Sequence, residues 1–237
     1  MRLLGEGISV VFMSAANCFY YDDEQQSNFL PIVLKYGGDP NIVYTEYNVT
    51  PIFAACNPSK SFGNALKSRD RCYLGSLMEI FYLPSPRNVA LLIETGVDIE
   101  FRDKWQNTPL IAAAGGENFD IVLMLLEAGA DYTAENEDGE NLAYFLYAAK
   151  HMNPEIDTEQ SVDPYYNKVI DFLKAKEYSL NNAYAKLRDK LKRLPVPPEN
   201  SNIRWPYQRP FDPFADEWIQ KRKQESAEKI NAQPVEK

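Results

Sequence analysis

The apolar residues of this chain fall into short helical stripes separated by polar turns, and the stripes recur. The clearest is Ile121, Val122, Leu125 and Leu126. Their three- and four-residue spacing puts them on one face of a helix. Ahead of it, Leu110, Ile111, Ala112 and Ala113 follow Thr108-Pro109. That pair predicts a helix start, because threonine accepts a backbone N–H and proline at the first helical position gives up a donor that has no partner anyway. Behind the stripe stands Gly129, suited to the left-handed residue that ends a helix. Two helices and a hairpin-like loop therefore make one unit, beginning near Asp103. A step of 33 residues forward reaches Gly139-Glu140-Asn141-Leu142-Ala143, with Tyr144, Phe145 and Leu146 continuing a first helix. The same step back reaches Gly96-Val97-Asp98, after Val89, Leu92 and Ile93. Thr50-Pro51-Ile52-Phe53-Ala54-Ala55 predicts another first helix. Ile32, Val33 and Leu34 before Gly37-Gly38 predict another second one, and Gly7 to Val11 with Ala15 and Ala16 a degenerate first.

A period of 33 with this internal order is the mark of a repeat architecture. The unit from Asp103 to Tyr132 resembles the ankyrin repeat along its whole length. Asn107-Thr108-Pro109-Leu110 matches the T-P-L-H signature with Ile111 in the histidine's place. Ala112 and Ala113 match the paired alanines, and Gly129-Ala130-Asp131 the end of the second helix. The expected fold is an all-α repeat solenoid of about four ankyrin repeats, each a helix-turn-helix plus a hairpin loop. A C-terminal capping helix and a Pro/aromatic tail complete it. Residues 1–194 are expected to form the solenoid with its cap, and residues 195–237 an extended tail with a short helix.

The departures from 33 carry as much information as the period. Ser9 to Thr50 is 41 residues, Thr50 to Thr108 is 58, and Ile121 to Val169 is 48, so 8, 25 and 15 residues are inserted. Each insertion is expected between the two helices of a repeat, hence on one edge of the solenoid, where insertions often mark a binding face. The first holds Tyr20, Tyr21, Asp22, Asp23 and Glu24. The second holds Lys60, Lys67, Arg69, Arg71, Tyr73, Phe81 and Tyr82, and the third Glu155, Asp157, Glu159, Asp163, Tyr165 and Tyr166. Tyrosine mixed with charge suits an interface, although such residues also make ordinary solvated loops. The row of hairpin tips is the second candidate surface. It offers Tyr44, Glu46 and Tyr47, then Arg102, Lys104 and Trp105, then Glu135, Glu137 and Asp138. Trp105 stands where ankyrin repeats have a small or polar residue, which makes it the leading anchor for a partner.

The two ends read differently. Ile8 to Cys18 is apolar after Arg2, but Glu6 and Asn17 suit a signal or lipoprotein leader poorly, and a repeat helix is needed there to cover the stripe from Phe29 to Tyr36. With no polar capping helix ahead of it, the expectation is the C-terminal part of a longer solenoid or an internal start. Asn181 to Leu194 predicts the terminal helix, with Tyr184, Leu187, Leu191 and Leu194 as a narrow stripe. Pro195-Val196-Pro197-Pro198 stops it. Ala215 to Lys229 reads as an exposed helix, while Trp205, Tyr207, Phe211, Phe214 and Trp218 in a Pro-rich segment suggest that the tail docks, on its own solenoid or on a partner.

Charge and candidate chemistry narrow the function. The formal charge is -9. From Pro195 onward seven basic residues balance seven acidic ones, so the whole excess of acid lies in residues 1–194. That balance repels phosphate backbones and argues against nucleic acid. Cys18, Cys56 and Cys72 form no C-x-x-C pair and His151 is the sole histidine, so neither a structural zinc nor a disulfide framework is expected. No stretch approaches the ~20 apolar residues of a membrane span. There is no G-x-S-x-G elbow and no P-loop. The expectation is a protein-binding module without cofactor or catalysis. Leu125 to Tyr132, Asp138-Gly139, Leu142 to Leu146 and Val169 to Leu173, with the basic terminal helix, are similar to Gram-negative bacterial ankyrin proteins. These include immunity proteins encoded beside lipase effectors of type VI secretion. The resemblance implies a partner that is a secreted antibacterial effector, a phospholipase. A scaffold or adaptor with no toxin partner is the alternative. The chain as written implies a cytoplasmic location, and a longer precursor with a signal would imply a periplasmic or lipid-anchored one.

Overall fold

In the computed structural model, residues 10–15, 29–44, 48–56, 84–152, 163–183 and 214–231 are described. The helices among them are α1 (Val10–Ala15), α2 (Leu30–Lys35), α3 (Pro51–Cys56), α4 (Pro86–Glu94), α5 (Pro109–Gly115), α6 (Phe119–Glu127), α7 (Leu142–Met152), α8 (Tyr165–Ala175) and α9 (Phe214–Asn231). The fold is an all-α repeat solenoid of helix pairs α1/α2, α3/α4, α5/α6 and α7/α8. The helix bounds place all three extra stretches between the first and second helix of a pair. Within α5/α6 only Gly116-Glu117-Asn118 separates the helices.

Local chemistry starts and stops the helices where the sequence indicates. Thr108 Oγ1 accepts from Ile111 N at 3.3 Å ahead of Pro109. One repeat later Asn141 Oδ1 accepts from Tyr144 N at 3.1 Å. Ser85 Oγ caps α4 through Asn88 N at 3.3 Å. Gly37, Gly96 and Gly129 take φ of 85, 78 and 98° just past α2, α4 and α6. At the matching place after α8 stands Glu177, left-handed at φ 57°. A Cβ in that region costs about 1–2 kcal/mol, which glycine avoids.

The first helices α1, α3, α5 and α7 pack in series as one layer, and α4, α6 and α8 as a second. Phe119 to Leu126 are all buried. Helix α6 packs on α5, is flanked by α4 and α8, and is roofed by α9, so no face of it meets water. Apart from Asp120 in its first turn the helix is apolar all round, which is stable only when enclosed in this way, and each large apolar side chain contributes about 1.5–3 kcal/mol by burial. Two side-chain amides, one buried and one half-buried, tie the layers. Asn88 Nδ2 donates to the carbonyls of Ser14 and Ala15 at 3.2 and 3.1 Å, and Asn118 Nδ2 to that of Cys56 at 3.1 Å. These carbonyls lie in the last turns of α1 and α3, which lack helical partners.

Two expectations change here. Tyr165 and Tyr166 belong to no surface loop. They open α8 and are buried at 3% and 2% exposure. The Tyr166 hydroxyl donates to Leu146 O at 3.0 Å, and its ring meets Phe119 edge-on at 5.2 Å. Helix α8 begins four residues before Val169, so both rings fall on its packing face. The helix of the tail is likewise not exposed along its length, for Ala215, Trp218 and Ile219 are buried against the second layer. Of the terminal helix expected over Asn181 to Leu194, residues 180–183 are helical, and Tyr184 onward lies outside the described residues. No helix among the described residues is long and apolar enough to cross a membrane.

Candidate protein-binding surface

The hairpin tips are built by side chains that bond to backbone, and the pattern repeats. Asp103 is buried at 3%. Its Oδ1 accepts from Trp105 N and Asn107 N, both at 2.8 Å, and its Oδ2 from Asn107 Nδ2 at 2.9 Å. Thirty-three residues later, Asn136 Oδ1 accepts from Asp138 N at 3.0 Å and Glu140 N at 2.9 Å. Asn136 Nδ2 donates to Asn107 Oδ1 at 3.0 Å and Glu140 Oε2 at 3.2 Å, which joins the two tips. At the feet of the hairpins the rule is the same. Asn41 Oδ1 accepts from Asp98 N at 2.9 Å, and Glu100 Oε1 from Asp131 N at 2.8 Å.

Against this frame each expected partner residue has a definite place. Arg102 is half-buried and its guanidinium is committed. Nη1 donates to Gln106 O at 3.0 Å and to Glu135 O at 2.7 Å, while Arg102 O accepts from Asn48 Nδ2 at 2.8 Å. It is a staple across three successive tips. Trp105 is 37% exposed. Its N–H is held by Asp103, its carbonyl accepts from Glu137 N at 3.1 Å, and Lys104 Nζ lies 4.3 Å over its ring. The indole thus stands on a backbone fixed from both sides. Tyr44 is half-buried, pairs with Val49 in an isolated antiparallel bridge, and packs on Phe12 with centroids 6.0 Å apart. Glu135, Glu137 and Asp138 are exposed on the next tip. Tyr20, Tyr21 and Tyr47 lie outside the described residues, as do the charged and aromatic positions of the second insertion from Lys60 to Tyr82. Asp103 and Asn136 were missed as tip-forming residues, although their spacing of 33 was a usable signal.

The groups whose titration is shifted owe it to burial and to hydrogen bonds within the frame. Burial, with the charge of Asp120 second, pushes the Cys56 thiol far above its ordinary range, so it stays a protonated packing group. Burial and then Glu140 raise Tyr144 to about 12. Hydrogen bonds from the Thr133 side chain and backbone hold Asp131 below the usual carboxylate value. Among the described residues no cluster of His, Cys, Asp and Glu is placed to hold a metal ion.

Paired helices joined by side-chain-braced tips define a solenoid of the protein-binding kind. Residues 92–144 match the family model for ankyrin repeats. A solved structure, the ankyrin repeat domain of Bcl-3, described as a unique member of the IkappaB protein family, matches with 15% identity over 71% of this chain and 52% of that one, at a TM-score of 0.42. The chain thus spans about half the length of that structure. No curated protein matches significantly. Ankyrin repeats are protein–protein interaction modules, and residues 92–144 match them.

Proposed function

We propose that this solenoid is an immunity protein, which binds a secreted antibacterial effector, a phospholipase, and neutralises it. The observation that supports a partner at the tips is Trp105, an exposed indole carried on a backbone whose N–H and carbonyl are both hydrogen-bonded. An aromatic ordered before binding loses little entropy on contact and serves well as an anchor. Lys104 beside it and Glu135, Glu137 and Asp138 on the next tip give the rim charge that sets register. Tyr44 extends the same row, Arg102 holds it, and Tyr47 belongs to it by sequence, as Tyr20 and Tyr21 belong to the opposite edge. The acidic body favours a basic partner surface. The effector class rests on the resemblance to bacterial immunity proteins. Inhibition would follow from covering the lipase active site or holding its lid.

The test is a pull-down with the tagged chain, in which each co-purified protein is assayed for phospholipase activity and any lipase recovered is titrated with added chain. Activity should fall to a floor at one equivalent, and Trp105→Ala should shift the curve. A lipase that stays fully active with the chain in excess would refute the immunity reading. Stable binding of a non-enzymatic partner through the same tips would then support a scaffold.

A further inference from the structure

A repeat solenoid needs only neighbouring repeats to bury its helices, yet α9 lies across three second-layer helices. Ala215, Trp218 and Ile219, at i, i+3 and i+4, are buried on that face. A rim of polar groups surrounds them. Arg87 of α4 lies 4.7 Å over the Phe214 ring. Glu94, ending α4, accepts from the Trp218 indole N–H at 3.2 Å. Lys168 of α8 donates to both Asp216 carboxylate oxygens at 2.7 and 2.8 Å. Glu127, ending α6, meets Lys223 at 3.0 Å. These four charged groups each meet a group of complementary character on α9. From Gln220 to Lys229 the helix is exposed or half-exposed. The seated part is therefore a short apolar anchor with a charged rim, the layout of an amphipathic helix in a receptor groove. The pairs α3/α4 and α5/α6 also pack helix against helix through contacts that α9 does not make.

We propose that the face built by α4, α6 and α8 is a binding site for an amphipathic helix. Helix α9 occupies it in cis, and a partner helix displaces α9 if it carries a small residue, an acid, an aromatic and a branched residue at the positions of Ala215, Asp216, Trp218 and Ile219. Lysine or arginine one turn after the branched residue completes the pattern by meeting Glu127. This site is separate from the hairpin tips and stands whatever the tips bind.

The probe is a labelled peptide of residues 211–231, added to the full chain and followed by fluorescence anisotropy. A tethered helix competes at an effective concentration of about 1 mM, so against a peptide of roughly 10 µM affinity the wild-type chain should bind about 100-fold more weakly than one whose own α9 is weakened. Trp218→Ala in the chain is the first such variant. Asp216→Lys in the chain is the second, since it sets lysine against Lys168 while the receptor face stays intact. Both should take up the peptide, and an unlabelled peptide with Trp218→Ala should not compete. Helicity by circular dichroism confirms that each chain is folded. If both folded variants bind the peptide no better than wild type, or bind the Trp218→Ala peptide equally well, the proposal is overturned.

Discussion

Asp103→Ala tests whether the hairpin tips rest on one carboxylate. Asp103 accepts three hydrogen bonds within its own tip, two from backbone N–H groups. A bond to a charged acceptor contributes about 1.5–3 kcal/mol net, and a stranded buried donor costs about 1–3. The tip is half open to water, so Trp105 N and Asn107 N can recover some hydration, and the expected loss is about 3 kcal/mol. For a chain of this size that lowers the melting temperature by roughly 6–12 °C. Urea unfolding followed by circular dichroism measures it.

Asp103→Asn refines the test because Asn136 already fills the same place one repeat on. Asparagine keeps both backbone acceptances but turns an NH2 toward Asn107 Nδ2, donor against donor. Asn107→Glu relieves this, since Glu140 accepts from Asn136 Nδ2 in the natural next tip. The double variant should recover about 1 kcal/mol or more over Asp103→Asn alone, within the coupling expected of contacting residues. A loss below about 1 kcal/mol for Asp103→Ala, or no recovery in the double variant, would refute the reasoning.

Glu177→Gly relieves a left-handed residue at the end of α8 and should stabilise by about 0.5–1 kcal/mol, a rise of roughly 1–4 °C in melting temperature. Trp105→Ala should weaken partner binding by about 2 kcal/mol, near 30-fold in Kd, with little change in melting. Tyr166→Phe should do the reverse, losing about 0.5–1.5 kcal/mol of stability with the hydroxyl's bond to Leu146 O and leaving affinity alone, and calorimetry of each variant separates the two. A chain with Cys18→Ser and Cys72→Ser should resist thiol reagents at Cys56 until unfolded. Because Cys56 and Tyr144 have folded values raised above their unfolded ones, their stability contributions are whole below about pH 9 and pH 10 respectively. They are lost as pH rises, so urea midpoints should fall from about pH 9 toward 12, and flat midpoints over that range would contradict the burial argument.

What was legible in the chain is what a residue does for its own neighbours. Thr108, Pro109 and Gly129 act within a few positions of themselves, so the helix pairs and their insertions could be read directly. Tyr165 and Tyr166 were assigned to a loop because the count from Val169 locates a stripe and not the turn of helix ahead of it. Glu177 hid a left-handed end because it is not glycine. The anchor of α9 spans only five residues, and its partners Glu94, Glu127 and Lys168 lie in three different helices. Arg102 invited a binding role as an exposed charge, yet its acceptor is a carbonyl 33 residues away. That last case separates frame from function at the tips. Arg102, Asp103 and Asn107 spend their side chains on backbone and on the next tip. Lys104 and Trp105 project from backbone that the frame already holds, and the hairpin bonds at Trp105 and Gln106 are made by main-chain atoms. Positions 104 and 105 can therefore vary in side chain without unmaking the hairpin, while position 106 is held to residues that tolerate the left-handed φ of 62° at Gln106, and specificity for a partner is expected to be written at 104 and 105.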